Sequence, residues 1–172
     1  YPLNPAVLVI HAAILDARPD LNCVMHLHTR DGTAVSMQEH GLLPASQHAL
    51  VVWDKLCYHE FEGLAIDDEE KRSLVRDLGP EKKLMLLRNH GTLAVGQSVA
   101  DCFMRLYFLE RACDAQVKML SAGRENLHTP PQGVEGKVEG QSPPGGMAMV
   151  AQSLAWPALL RKLDRIDASY RN

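Results

Sequence analysis

Aromatic residues make up only 5% of this 172-residue chain, too few to suggest an aromatic-lined binding groove. An excess of basic charge is also missing. The formal net charge is −3 and the lysines and arginines are scattered, so no basic stripe follows a phosphate backbone and nucleic acid is not an expected partner. No apolar run approaches the roughly 20 residues that cross a bilayer, so no membrane partner is expected either. There is no C-x-x-C pair. Cys23, Cys57, Cys102 and Cys113 stand far apart in apolar surroundings, which suits free thiols in a reducing compartment, the cytoplasm, better than a disulfide scaffold. The opening stretch "YPLNPAVLVIHAAILDARPD" has no charged leader and no small-residue cleavage site, and does not read as a secretory signal.

What is present is a chain with 46% hydrophobic residues, enough to bury the core of one globular domain. Asn4 as N-cap and Pro5 at the first helical position open a helix that Arg18-Pro19 ends. "LNCVMHLH" reads as a short buried strand. "TRDGTAVSMQEHG" suits a second helix, capped by Thr29 or Asp31 and stopped by Gly41. "ALVVW" and "LCYHEF" both look like strands. "DDEEKRSLVRDLG" is a helix with acidic residues at its start and Gly79 at its end. "KKLMLLRNHGTLAVG" predicts a hairpin turning at Asn89-His90-Gly91, and Ser98 caps the longest helix, which Gly123 closes. The composition then shifts to Pro, Gly and charge. Residues 1–123 therefore read as the domain, 124–150 as a flexible, extended or partly disordered segment, and 151–172 as a terminal helix near Pro157. Strands alternating with helices place the chain in the α/β class. The strands are few for the helices they must cover, so the reading expects further sheet upstream of Tyr1.

The histidines carry the chemistry. His26 and His28 are two apart, and in a strand such residues point to the same face. A Cα separation of roughly 7 Å lets both imidazoles reach one ion at about 2.0–2.1 Å. The alternative is a pair of histidines with ordinary hydrogen bonds. His90 lies at the hairpin turn, where Gly91 permits an unusual backbone angle. A third imidazole there would complete a site with an open position, the mark of catalytic rather than structural zinc. The alternative for His90 is a turn residue bonded to backbone carbonyls. His48 in "ASQHAL" is a candidate acid/base, or a loop histidine with no role. His11 reads as a core histidine, Glu60 and Glu62 as a solvated strand face, and His40 and His128 as turn or tail residues.

Taken together, "RPD-x-x-x-V-x-H-x-HT", "LLRNHG-x-x-x-VG" and "LERAC-x-x-QV" resemble the class II aldolase/adducin family over residues 4 to 123. "GLLPASQHAL" and "LSAGRENL" favour its adducin-like and uncharacterised bacterial branch. The resemblance implies a three-layer α/β/α fold around a mainly antiparallel sheet, and a homotetramer with sites between subunits. It also implies a zinc or similar divalent ion on His26, His28 and His90 that stabilises an enolate as a carbon–carbon bond next to a carbonyl is cleaved or formed. The expected substrate is a small hydroxyketone or keto acid, and decarboxylation of a related acid would use the same stabilisation. Two positions depart from the aldolases. Their catalytic glutamate corresponds to Val7, which transfers no proton, and a tyrosine donated by a neighbouring subunit corresponds to His48. The family's phosphate-binding loops lie upstream of Tyr1. Val7 keeps a second expectation open, a non-catalytic adducin-like assembly module.

Overall fold

The structure, a computed structural model, describes residues 5–63, 68–141, 143 and 145–171. The first helix, α1 (Pro5–Ala17), ends where expected, and Arg18 ties its end to the Gly79 carbonyl at 2.7 Å. The proposed cap, Asn4, lies outside the described residues. Next come β1 (Cys23–Leu27) and α2 (Arg30–Ser36), whose N-cap is Thr29. This helix stops at Ser36, short of Gly41. The strand expected at "ALVVW" is instead a helix, α3 (Gln47–Val52). The Ser46 hydroxyl accepts from Ala49 N at 3.2 Å, and a run this short has no periodicity to separate strand from helix.

The strand β2 (Leu56–His59) stops before the exposed Glu60 and Phe61. It is followed by α4 (Asp68–Leu78), β3 (Leu84–Leu87), β4 (Gly91–Gly96) and α5 (Val99–Leu120), with Ser98 as the N-cap of α5. Asp67, read with the acidic start of α4, lies outside the described residues. The strands form one sheet in the order β1-β4-β3-β2. β1/β4 and β3/β4 are antiparallel. β2/β3 is parallel, because α4 carries the chain back to the end where it began. The sheet is mixed, with antiparallel pairings in the majority.

Alternation along the strands supplies two cores. On one face, Ile10 and Ile14 of α1 and Leu74 and Leu78 of α4 cover Val24, Met85, Leu87, Leu93 and Val95. On the other, residues of α2, α3 and α5 such as Val35, Ala49, Val52 and Leu109 cover Leu84, Leu86 and Ala94. The fold is a three-layer α/β/α arrangement. The register puts Leu27 beside Thr92, Leu87 beside Gly91 and His59 beside Leu87. The ends of β1, β2 and β3 and the start of β4 therefore meet at one end of the sheet.

After α5 the chain makes a 3₁₀ turn (Arg124–Asn126) and an exposed helix, α6 (Val134–Gln141), inside the stretch read as extended. α7 (Gly146–Val150) continues through a π turn into α8 (Trp156–Ile166), with Pro157 in its first turn. Ala151 is buried and the Trp156 ring lies 5.6 Å from that of Phe103 on α5. Leu163 and Ile166 stay exposed. No helix among the described residues is long and apolar enough to cross a membrane. All four cysteines are free thiols. Burial pushes Cys57 and Cys113 each up to about 12.

Candidate metal centre

His26 lies in β1, His28 one residue beyond its end, and His90 in the β3–β4 turn. The fold brings the three rings together. Their centroids are 4.6, 4.7 and 4.6 Å apart and their planes are inclined by 71, 78 and 68°, close to a three-bladed arrangement. His26 Nε2 stands 2.7 Å from His28 Nε2 and 3.2 Å from His90 Nε2. Tetrahedral nitrogen ligands on zinc would stand roughly 3.3 Å apart.

The tautomer of His26 follows from its other nitrogen. Nδ1 is 2.9 Å from the Thr92 carbonyl oxygen, which has no proton to give, so Nδ1–H donates and the neutral ring presents its Nε2 lone pair to the cluster. Burial, then the neighbouring His90 and His28, hold the His26 pKa down to about 4, against the opposing pull of the Thr92 carbonyl. His90 is also lowered, by burial first and then by His28 and His59. Nitrogen lone pairs crowded this closely repel unless a proton or a cation lies between them. His26, His28 and His90 are the one trio with metal-ligand spacing among the described residues. The donor set, the spacing and the fixed tautomer fit a divalent ion of the zinc type. His28 is exposed and the other two half-buried, which leaves the outer side of the cluster open.

Gly91 serves the cluster differently from the expectation. The left-handed residue of the turn is Asn89 (φ +56°). A Cβ on Gly91 would lie 2.3 Å from the Leu27 carbonyl oxygen and 3.3 Å from His28 Cδ2. The glycine is needed for close approach of the turn to the end of β1.

A hydrogen-bonded network that sequence reasoning missed lies beneath the imidazoles. Glu110 of α5 accepts from the Thr29 hydroxyl at 2.5 Å and from the Thr92 hydroxyl. Thr29 Oγ1 also caps α2 by accepting from Gly32 N at 3.0 Å. The signal was available in the threonine following H-x-H and the glutamate of "LERAC", but neither residue type by itself points to a metal. Glu110 and His26 also border a cavity of about 480 Å³ with His11, Met25, Phe103 and Tyr107. His11, read as a core residue, is half-buried at that wall.

His48 is not part of the cluster within this chain. It sits on α3 with its ring 5.8 Å from that of Phe108. Val7 falls within α1, one turn before His11, and its side chain lies outside what is described. Glu60 is exposed, and Glu62 accepts from Ser73 at 2.8 Å. His40 and His128 are exposed.

Residues 2–117 match the family described as the Class II Aldolase and Adducin N-terminal domain. A Caulobacter vibrioides protein, named only at the level of aldolase class 2, is 49% identical over 170 residues, covering 99% of this chain and 65% of its own. Alpha-adducin of Mus musculus is 42% identical over 127 residues, 73% of this chain and 17% of the adducin. An aldolase II superfamily protein from Pseudomonas syringae superposes with a TM-score of 0.89 at 47% identity, over 99% of this chain and 66% of that one. L-fuculose 1-phosphate aldolase from Glaciozyma antarctica PI12 shares the fold, with a TM-score of 0.77 at 21% identity over 95% of this chain and 61% of that one. The chain thus spans about two thirds of the length of its bacterial relatives. With matched motifs, matched fold and 116 consecutive residues under one family description (2–117), the chain belongs to the class II aldolase and adducin family.

Proposed function

We propose that this chain holds a divalent metal ion, zinc or one of similar preference, on His26, His28 and His90. It would act as a class II aldolase-like lyase, cleaving or forming a carbon–carbon bond next to a carbonyl in a small hydroxyketone or keto acid. The observation that carries the reading is the convergence of three Nε2 atoms with the His26 lone pair turned inward by Thr92. A cation there supplies electrophilic stabilisation of negative charge developing on a carbonyl oxygen. The exposed side of His28 leaves room for that oxygen to approach. His48 is the candidate acid/base, reaching a triad in a neighbouring copy within a homotetramer. Four free thiols, two of them fully buried, support a reducing, cytoplasmic setting.

A second reading has its own support. Val7 at the position of the family's catalytic glutamate, together with 42% identity to an adducin over 127 residues, favours a non-catalytic oligomeric binding module. The deciding experiment is elemental analysis of protein purified without an affinity tag, beside the His26→Ala/His28→Ala variant. The expected result is about one zinc, manganese or cobalt per chain, lost in the variant, followed by turnover of a hydroxyketone or keto acid. Metal retained in the variant would overturn the ligand assignment. No metal after divalent ions are supplied would leave the adducin-like module.

A further inference from the structure

We infer that Glu110 is the positioning residue of the metal centre, one carboxylate that sets the places of all three imidazoles. The inference rests on the metal reading above. Glu110 lies on α5, behind the opposite face of the sheet from His26, whose neighbours across the strands are Leu93 and Met85. Its two oxygens are divided between two hydroxyls, Oε2 receiving Thr29 and Oε1 receiving Thr92. Each threonine belongs to a different ligand segment. Thr29 follows His28 directly, so its side chain fixes where the end of β1 lies. Thr92 is two residues beyond His90, and its carbonyl receives the His26 Nδ1 proton.

The path from Glu110 to each imidazole is therefore short and made of directional bonds. It reaches His28 through the adjoining Thr29, His26 through the Thr92 carbonyl, and His90 through the backbone that Thr92 anchors. A second bond steadies His90, since the Thr33 hydroxyl donates to its carbonyl at 3.3 Å. The packing around Glu110 leaves no slack. A Cβ on Gly32 would lie 2.6 Å from Thr29 Oγ1, 2.8 Å from Thr92 Cγ2 and 3.1 Å from Glu110 Oε1. With both oxygens committed to hydroxyl donors, Glu110 acts on the site by placement and does not stand in for the glutamate missing at Val7. Outer residues of this kind typically change metal affinity by about 10- to 100-fold when removed.

The test measures affinity for zinc by competition with a chromophoric chelator, the visible absorption spectrum of the cobalt(II) form, and the melting temperature of the metal-free chain. Glu110→Gln keeps the shape, but its amide nitrogen accepts nothing, so one threonine loses its acceptor. Glu110→Asp keeps the charge and cannot span both hydroxyls. Both variants are expected to bind zinc about 10- to 100-fold more weakly and to give an altered cobalt spectrum, while the metal-free chain still melts cooperatively at a somewhat lower temperature. Thr92→Ser, which keeps the hydroxyl, is expected to bind like the parent, and Thr92→Val, which keeps the shape without the donor, to lose affinity. Parent-like affinity and spectrum in Glu110→Gln and Glu110→Asp would overturn the inference while leaving the metal reading intact. If the Glu110 variants fail to fold, the threonine pair decides. Weaker zinc binding by Thr92→Val than by Thr92→Ser supports the inference, and equal binding overturns it. A parent chain that binds neither zinc nor cobalt would overturn the metal reading and this role together.

Discussion

Two sets of histidines stand at the same end of the sheet and are held in different ways. His26, His28 and His90 face one another, with a backbone carbonyl behind His26. His59, the last residue of β2 and 3% exposed, faces a carboxylate, its Nδ1 2.7 Å from Asp77 Oδ2 on α4. Its Nε2 is buried without a hydrogen-bond partner. The comparison shows that the partner, not the residue type, decides what an imidazole is fit for. Three ring nitrogens crowded together leave a place for a proton or a cation between them, whereas a single ring held by an aspartate has its partner already. In the sequence the H-x-H spacing and the N-H-G turn set the trio apart, whereas His59 falls inside "LCYHEF" with no motif around it.

Breaking the first set should have the largest effect. His90→Ala is expected to abolish stoichiometric metal binding, read by elemental analysis, whereas Asp77→Ala should leave metal content unchanged. Next comes Gly91→Ala, whose Cβ would push the turn away from Leu27 and His28. It should lower both metal affinity and melting temperature, with a cost of several kcal/mol, about 2–4, in denaturant unfolding. Asp77→Ala should cost less, about 1–3 kcal/mol, because it strips the one partner from a buried imidazole. Acid sharpens the comparison further. His26 has a pKa of about 4 in the fold and an ordinary value of 6.5, so the unfolded chain takes up that proton first as the pH falls. The metal-free chain should lose stability from about pH 6.5 down to about 4 through this group, with no further loss from it below that, as followed by thermal melting across pH. The smallest effect is at Asn89. Asn89→Ala forces a Cβ residue without a polar side chain into the left-handed turn and should cost about 1 kcal/mol, and Asn89→Gly should cost less than that.

Much of the site was legible because its signals are local. The H-x-H spacing, the N-H-G turn and the capping residues Thr29 and Ser98 each depend on neighbours in sequence, and each lies where its pattern put it. The failures share a cause as well. "ALVVW" carries no local instruction that outweighs the Ser46 cap and packing against α5. Gly91 offers backbone freedom by residue type, yet its requirement comes from Leu27, a residue distant in the chain. Glu110 meets Thr29 at a separation of 81 residues, and such pairing is written only in three dimensions. The helix α6 arises in a segment whose Pro and Gly content argued against any regular element.

One further consequence comes from the place of β1 at the margin of the described sheet, where β4 is its single strand neighbour. Strand margins open at lower free energy than sheet interiors, and this one carries His26 and is followed at once by His28. An ion held by those two rings and by His90 would tie the margin to the interior turn. Amide hydrogens of residues 23–27 should therefore exchange with solvent more slowly in the metal-loaded chain, while those of β3, already enclosed by strands on both sides, change little. The metal would act as a clamp on a marginal strand as well as a reagent.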